Sequence, residues 1–421
     1  MHGQLVVQQS QFMDPGSQYQ FPEETDRGLQ LVHLLKDCVK YIESGNITRA
    51  DTALYKISKL APPHGDSMQR VATYFSEALA FQVIKNRRGI PKILGLSKTL
   101  STSEELLVKK LFFELYPFSK SAYKITNQAI IEAMDGEKII NILDLSVSDA
   151  TQWIYLMQSL KERLPNHSYL KITITGIHEK KEVLEQMELH LRVEAENMNF
   201  SFQFNAIVSN LENLDLERLP FDKGEPLAIS CVLQLHSLLA TDDQMVKNPS
   251  PDSTMSPLST CPSPKMECFL SGLWKLRPKV MVITEQESNV NGSTLTERIN
   301  NALNFYGALF DCLEATISKA SVERTLVEKM LLREQIKNII ACEGVKRKER
   351  HEKLETWITR LLLAGFVKVP ISFGGMLQTT KLLQSYIHGY QIRHENECLF
   401  ICWNGNPLFY ISAWRFPSDD I

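Results

Sequence analysis

The chain has 421 residues, 43% apolar and 23% charged, the balance of a soluble globular protein with room for one large domain or two ordinary ones. Lys and Arg total 46 against 49 acids, a net charge of −3. That argues against a protein that coats nucleic acid by bulk charge, but leaves room for a local basic patch. No run of about 18 apolar residues predicts a membrane span. The Gln-rich start, through Phe21, lacks the basic-then-apolar order of a secretory signal.

Residues 1–26 are polar and read as a disordered tail. From Gly28 the pattern changes. Leu31, Leu34, Leu35, Cys38 and Ile42 recur at three- and four-residue steps, which predicts an amphipathic helix ended by Gly45-Asn46. Further helices are expected from Thr48 to Leu60, stopped by Pro62-Pro63, from Met68 to Ile84, and from Ser103 to Met134 with a break near Pro117. Residues 27–135 thus read as a helical cap.

The period then shortens. Lys138–Leu145 predicts a buried parallel strand. Strands at Tyr169–Gly176, Ser201–Val208, Pro226–Leu233 and Pro278–Thr284 alternate with helices at Ala150–Leu164, Glu179–Met198 and Thr294–Leu313. This alternation predicts a doubly wound α/β sheet over residues 136–416. Near the end, the apolar runs Cys398–Trp403 and Leu408–Trp414 flank Asn404-Gly405 and predict an antiparallel hairpin. A parallel sheet closed by such a hairpin is the class I methyltransferase-like topology, which by itself says nothing about chemistry.

Few residues suggest chemistry. Asp144 ends the first strand, where a nucleotide-type cofactor would meet a glycine loop. The loop here reads Leu145-Ser146-Val147-Ser148-Asp149-Ala150-Thr151, without glycine, so Asp144 is expected to tie the loop rather than hold a cofactor. The ten histidines show no HxxxH or HExxH spacing, so no metal site is expected. The eight cysteines include no CxxC pair and read as free thiols of a reducing compartment. No catalytic or cofactor-binding residue is assigned. Two LxxLL stretches, one with Leu31, Leu34 and Leu35 and one with Leu235, Leu238 and Leu239, have the spacing of a partner-docking helix, and equally of a helix turned into the core. Lys346, Arg347, Lys348 and Arg350 form the densest basic cluster, readable as an import signal, a phosphate contact or a solvated helix face.

Several blocks resemble the GRAS family, and its scarecrow-like members in particular. Leu31–Leu54 resembles the first leucine-rich region. Ile140–Leu145, with Asp144 and then Gln152-Trp153, resembles the VHIID motif. Val232–His236 resembles the start of the second leucine-rich region. Glu285–Glu287, Asn291-Gly292, and Asn304–Tyr306 with Phe310-Asp311 resemble the PFYRE region. Ile336–Gly344, Glu349–Glu352, and Trp403 followed by Ser412-Ala413-Trp414 resemble the SAW region.

The resemblance implies a plant nuclear transcriptional co-regulator in gibberellin and root-development signalling. It implies DELLA proteins, indeterminate-domain zinc-finger proteins and other GRAS proteins as partners, in homo- or hetero-dimers, with DNA reached indirectly. A direct DNA-binding factor and an S-adenosylmethionine-dependent methyltransferase are the alternatives.

Residues 241–265 interrupt the α/β pattern with Ser, Asp, Thr and five prolines, and read as an exposed insert loop. Deleting residues 243–264 is therefore expected to leave the fold intact, since halving a loop changes closure entropy by only about 0.6 kcal/mol. A melting temperature lowered by many degrees would show instead that the insert packs on the core.

Overall fold

Apolar residues at helical spacing build the first layer. The computed structural model describes residues 23–85, 101–148, 150–163, 170–221, 224–240, 264–386 and 389–417. Helix α1 (Glu23–Glu43) is followed by α2 (Ile47–Leu60), whose N-cap Asn46 accepts the Arg49 N–H, and α3 (Ser67–Lys85). Glu23 to Asp26 therefore belong to α1, and the rest of the expected tail lies outside the described residues. Helix α4 (Thr102–Leu115) starts at a reciprocal Ser101–Glu104 capping box. Pro117 opens α5 (Pro117–Ala133), a position where its missing N–H costs nothing.

The sheet follows in the expected alternation. Strand β1 (Ile139–Asp144) leads to α6 (Thr151–Arg163), β2 (Lys171–His178), α7 (Lys181–Met198), β3 (Ser201–Val208) and β4 (Leu227–Val232). A 3₁₀ turn, Leu235–Ala240, follows β4. After the insert come α8 (Pro264–Lys275), β5 (Val280–Gln286) and α9 (Leu295–Thr316). Pro264 is already helical, so the loop as expected from the sequence is one helix start too long. Residues 241–263 lie outside the described residues.

The sequence pattern left residues 315–397 largely unassigned. They hold α10 (Val322–Leu326), a π-helical turn (Val327–Leu332), α11 (Arg333–Ala341), α12 (Leu354–Leu363), β6 (Val367–Val369), α13 (Phe373–Gln384) and β7 (Tyr390–Glu395). The chain closes with β8 (Cys398–Trp403) and β9 (Asn406–Arg415). Asn404 and Gly405 both take positive φ, as a two-residue hairpin turn requires.

The strand order is β3-β2-β1-β4-β5-β9-β8-β7, with β6 added on β9. Strands β1 to β5 pair in parallel and the remaining pairs are antiparallel. This is the class I methyltransferase-like arrangement, with the expected hairpin enlarged by β6 and β7. Strand β7 was hidden in the sequence because it is an edge strand rich in charge, Arg393-His394-Glu395, which blunts edge pairing. Its turn to β8 uses Asn396 and Glu397, both at positive φ and without glycine.

Side-chain alternation divides the sheet between two cores. Ile140, Ile142, Val280, Val282, Phe409 and Ile411 face one core, which the cap helices complete. Leu143, Leu145, Met281, Ile283, Tyr410 and Trp414 face the other, closed by α8 and α12. Cap and sheet thus share a core. A buried ion cluster reinforces the join. Arg70 on α3 reaches Glu328 at 2.9 Å and Glu314 at 2.8 Å, and Arg324 reaches the same two carboxylates at 3.0 and 2.5 Å. Burial works against the Glu314 charge, but Lys319, Arg324 and Arg70 hold its carboxyl down at about 2. Residues 322–341 therefore pack with the cap, although they follow the sheet strands in sequence.

Leu31 and Leu35 point into this shared core with no exposed surface, and Leu34 is half-buried. The first LxxLL stripe is committed to packing, because α1 spends its apolar face on α2, α3 and α9. Leu35→Ala is expected to cost about 2–5 kcal/mol in urea unfolding, the range for a fully buried leucine. A loss below about 1 kcal/mol, with partner capture reduced, would return the helix to a docking role.

Candidate functional site

The parallel strands deliver their C-terminal ends to one rim, where α/β sheets usually hold ligands. A cavity of about 660 Å³ opens there. The loops after β1, β2 and β4 line it, with Gln286 at the end of β5, the π-helical turn and Glu349 and His351.

Asp144, Ser146 and Gln152 fasten the loop after β1. The Asp144 carboxylate accepts the Ser146 N–H at 2.9 Å and the Trp153 indole N–H at 2.8 Å. The Ser146 hydroxyl accepts the Val232 N–H at 2.9 Å, which ties the loop to the end of β4. Gln152 donates to the Ser230 hydroxyl at 3.3 Å, and its carbonyl accepts from Asn127. Trp153 is fully buried. Val147 packs down on Gly176, where an added Cβ would stand 2.9 Å from its methyl and 2.8 Å from the Phe204 ring. The rim glycine on β2 therefore serves close packing. Asp149 lies outside the described residues. Strand β2 runs two residues past its expected end, to His178, so Glu179 follows it directly and lines the cavity.

The second LxxLL stretch is a 3₁₀ turn with Leu235, Leu238 and Leu239 buried, so it presents no apolar stripe outward. The basic cluster departs from its sequence reading too. Only Gly344–Lys346 is helical, as one 3₁₀ turn, and the chain then runs without regular structure to Lys353. Arg347 is buried and donates to the Val290 carbonyl at 3.1 Å. Arg350 is buried and donates to the Arg347 and Gly344 carbonyls and to Asn291. Lys346 and Lys348 alone of the four are exposed. These arginines hold loops together, because nearby backbone carbonyls take up their donors.

The C-terminal motif residues are likewise inside. The Trp403 indole donates to Asp311 at 2.7 Å and pins the hairpin to α9. The Trp414 indole donates to the Ser412 hydroxyl at 2.9 Å, and Ala413 is buried between them.

One group of residues on the cavity wall escaped the sequence pattern. Glu285, at the end of β5, has no exposed surface. One of its oxygens lies 2.9 Å from His236 Nδ1 and 3.1 Å from His351 Nδ1. Its other oxygen accepts the His236 backbone N–H at 3.3 Å. His351 Nε2 lies 3.0 Å from Glu349. Burial would raise the Glu285 carboxyl, but the two imidazoles hold it well below the usual carboxylate range. Burial would likewise lower His351, yet its two carboxylates push it up to about 9. His236 and His351 stand far apart in sequence, so spacing gave no signal. Each does lie inside a motif block that the sequence singled out.

Asp144 is the residue whose role here is most exposed to test. Asp144→Ala removes the acceptor of a buried indole N–H and of the Ser146 N–H. Each orphaned donor costs about 1–3 kcal/mol. A lower urea midpoint with unchanged slope is expected, and an unchanged midpoint would remove the fastening role.

Comparison with known proteins agrees with this architecture. Residues 31–415 match the GRAS domain family. The chain is 51% identical to GRAS family protein TF80 of Medicago truncatula, over 96% of this chain and 100% of that one. It is 45% identical to Scarecrow-like protein 3 of Arabidopsis thaliana, over 94% and 90%. DELLA protein GAI1 of Vitis vinifera is 31% identical over 94% of this chain and 63% of its own. Among solved structures, SCL7 of Oryza sativa superposes with a TM-score of 0.76 at 25% identity, covering 91% of this chain and 99% of that one. A family match over nearly the whole chain, two relatives aligned over nine-tenths or more of both chains and a solved neighbour with the same fold converge: the chain belongs to the GRAS domain family.

Proposed function

We propose that this chain is a plant nuclear transcriptional co-regulator that works through protein–protein contacts in gibberellin and root-development signalling. DELLA proteins, indeterminate-domain zinc-finger proteins and other GRAS proteins are its expected partners, in homo- or hetero-dimers. The relationship to scarecrow-like and DELLA proteins supports this reading. No described helix is long and apolar enough to cross a membrane.

The single observation that carries it is the loop after β1. A methyltransferase needs that turn open, so that backbone N–H groups can approach the cofactor. Here Asp144 and Ser146 are taken up by protein donors, and Val147 fills the space over Gly176. The fold then serves as a scaffold that presents surfaces. Direct DNA binding is disfavoured by the inward turn of Arg347 and Arg350, which leaves Lys346 and Lys348 as the exposed cations of that cluster.

One set of binding measurements tests the reading. Purified full chain is expected to capture a DELLA protein and an indeterminate-domain protein. It is expected to give no isotherm with S-adenosylmethionine at about 100 μM protein, where millimolar binding stays invisible. It is expected to release generic DNA as salt rises to physiological strength. A micromolar cofactor isotherm abolished by Asp144→Ala would restore the enzyme. A nanomolar, sequence-selective DNA complex formed without a partner would replace the co-regulator with a direct DNA-binding factor.

A further inference from the structure

The histidine pair on the cavity wall has a geometry that a structural ion pair does not require. One carboxylate oxygen of Glu285 faces the Nδ1 atoms of both His236 and His351. The two rings thereby lie against each other, tilted by 33° with centroids 3.6 Å apart, and both Nε2 atoms turn toward Glu349. Glu349 Oε2 stands 3.0 Å from one Nε2 and 3.8 Å from the other. Possible donor atoms of His236, Glu349 and His351 all lie within 4.8 Å of one another. A carboxylate behind the distal nitrogen of a ligating histidine is the usual support of a metal site, since it fixes tautomer and ring angle.

We propose that His236, His351 and Glu349 form a binding site for a divalent transition metal of the zinc type, with Glu285 as the carboxylate that orients both imidazoles. The donor set is two imidazole nitrogens and one carboxylate oxygen, without thiolate. That set suits Zn²⁺ and its neighbours, whereas Mg²⁺ and Ca²⁺ prefer oxygens alone. Tetrahedral bonds of about 2.0–2.1 Å place ligand atoms roughly 3.3 Å apart, between the two Glu349 separations, and binding splays the two rings from their present 3.6 Å centroid spacing. The cation takes the place of the proton shared by His351 Nε2 and Glu349, so binding releases that proton to solvent. All three donor residues line the large cavity, so the fourth coordination position faces it. The metal bridges the turn after β4 and the loop before α12, both already held on the end of β5 by Glu285.

The test uses full-length chain dialysed against chelator. Titration with Zn²⁺ is expected to show one tight equivalent and a raised melting temperature, with no such effect from Mg²⁺. Co²⁺ is expected to give visible d–d bands without the near-ultraviolet thiolate band, which separates this site from binding at the cysteines. Glu349→Gln, on a side chain at the cavity edge, is expected to weaken Zn²⁺ binding by at least about tenfold while circular dichroism stays native. Glu285→Gln is expected to weaken it by about 10–100-fold through the ring orientation alone. If Glu285→Gln fails to fold, Glu349→Gln decides by itself. Absence of a tight equivalent, a thiolate band on Co²⁺, or unchanged affinity in folded Glu349→Gln overturns the site.

Discussion

A carboxylate with no exposed surface must be paired, and Glu285 sets that demand at the centre of the molecule. Its place is fixed by β5, the strand where the parallel and antiparallel halves of the sheet meet. His236 satisfies it from the turn after β4, and His351 from the loop before α12. Two long connections are thereby held against the rim of the sheet. The Arg347 and Arg350 side chains then close the same loop onto Val290, Asn291 and its own carbonyls. The rim cavity owes one wall to this charge cluster.

The opposite wall depends on a second buried cluster of the same kind. Arg70 and Arg324 share Glu314 and Glu328, and so bind the N-terminal cap to helices that follow the fifth strand. The π-helical turn lies next to this cluster, with Glu328 within it and Met330 and Leu331 on the cavity. Cap and sheet are one body because both apolar burial and ion pairing cross between them. A helical layer anchored in this way is a rigid wall of the rim.

The floor of the cavity shows how a methyltransferase-like topology can carry a fastened turn after β1. Closing a turn of this kind takes small local changes. An acid accepts from an indole nine residues along the chain, a serine hydroxyl accepts from the neighbouring strand, and a valine covers the rim glycine of β2. None of them disturbs strand order or register. The turn can thus change while the fold stays the same, and the fold by itself assigns no chemistry.

By itself the sequence determined what depends on neighbours along the chain. Alternation in β1, β5 and β9 decides which side chains enter each core, three- and four-residue steps make the cap helical, and Asn404-Gly405 makes the hairpin. The fastening of Asp144 was legible in the same way, because a glycine-free loop has few other uses for that acid. Strand β7 and the helices of 322–384 were not legible. Charge on an edge strand and short amphipathic helices leave weak periodic signals. The inward turn of both LxxLL stretches and of Arg347 and Arg350 was decided by tertiary structure alone. So was the meeting of Glu285 with His236 and His351. Whether a leucine stripe or an arginine faces solvent depends on what the fold lays against it. The pairing of buried charges depends on which strand ends and loops share a rim, and that distance in space has no counterpart in spacing along the chain.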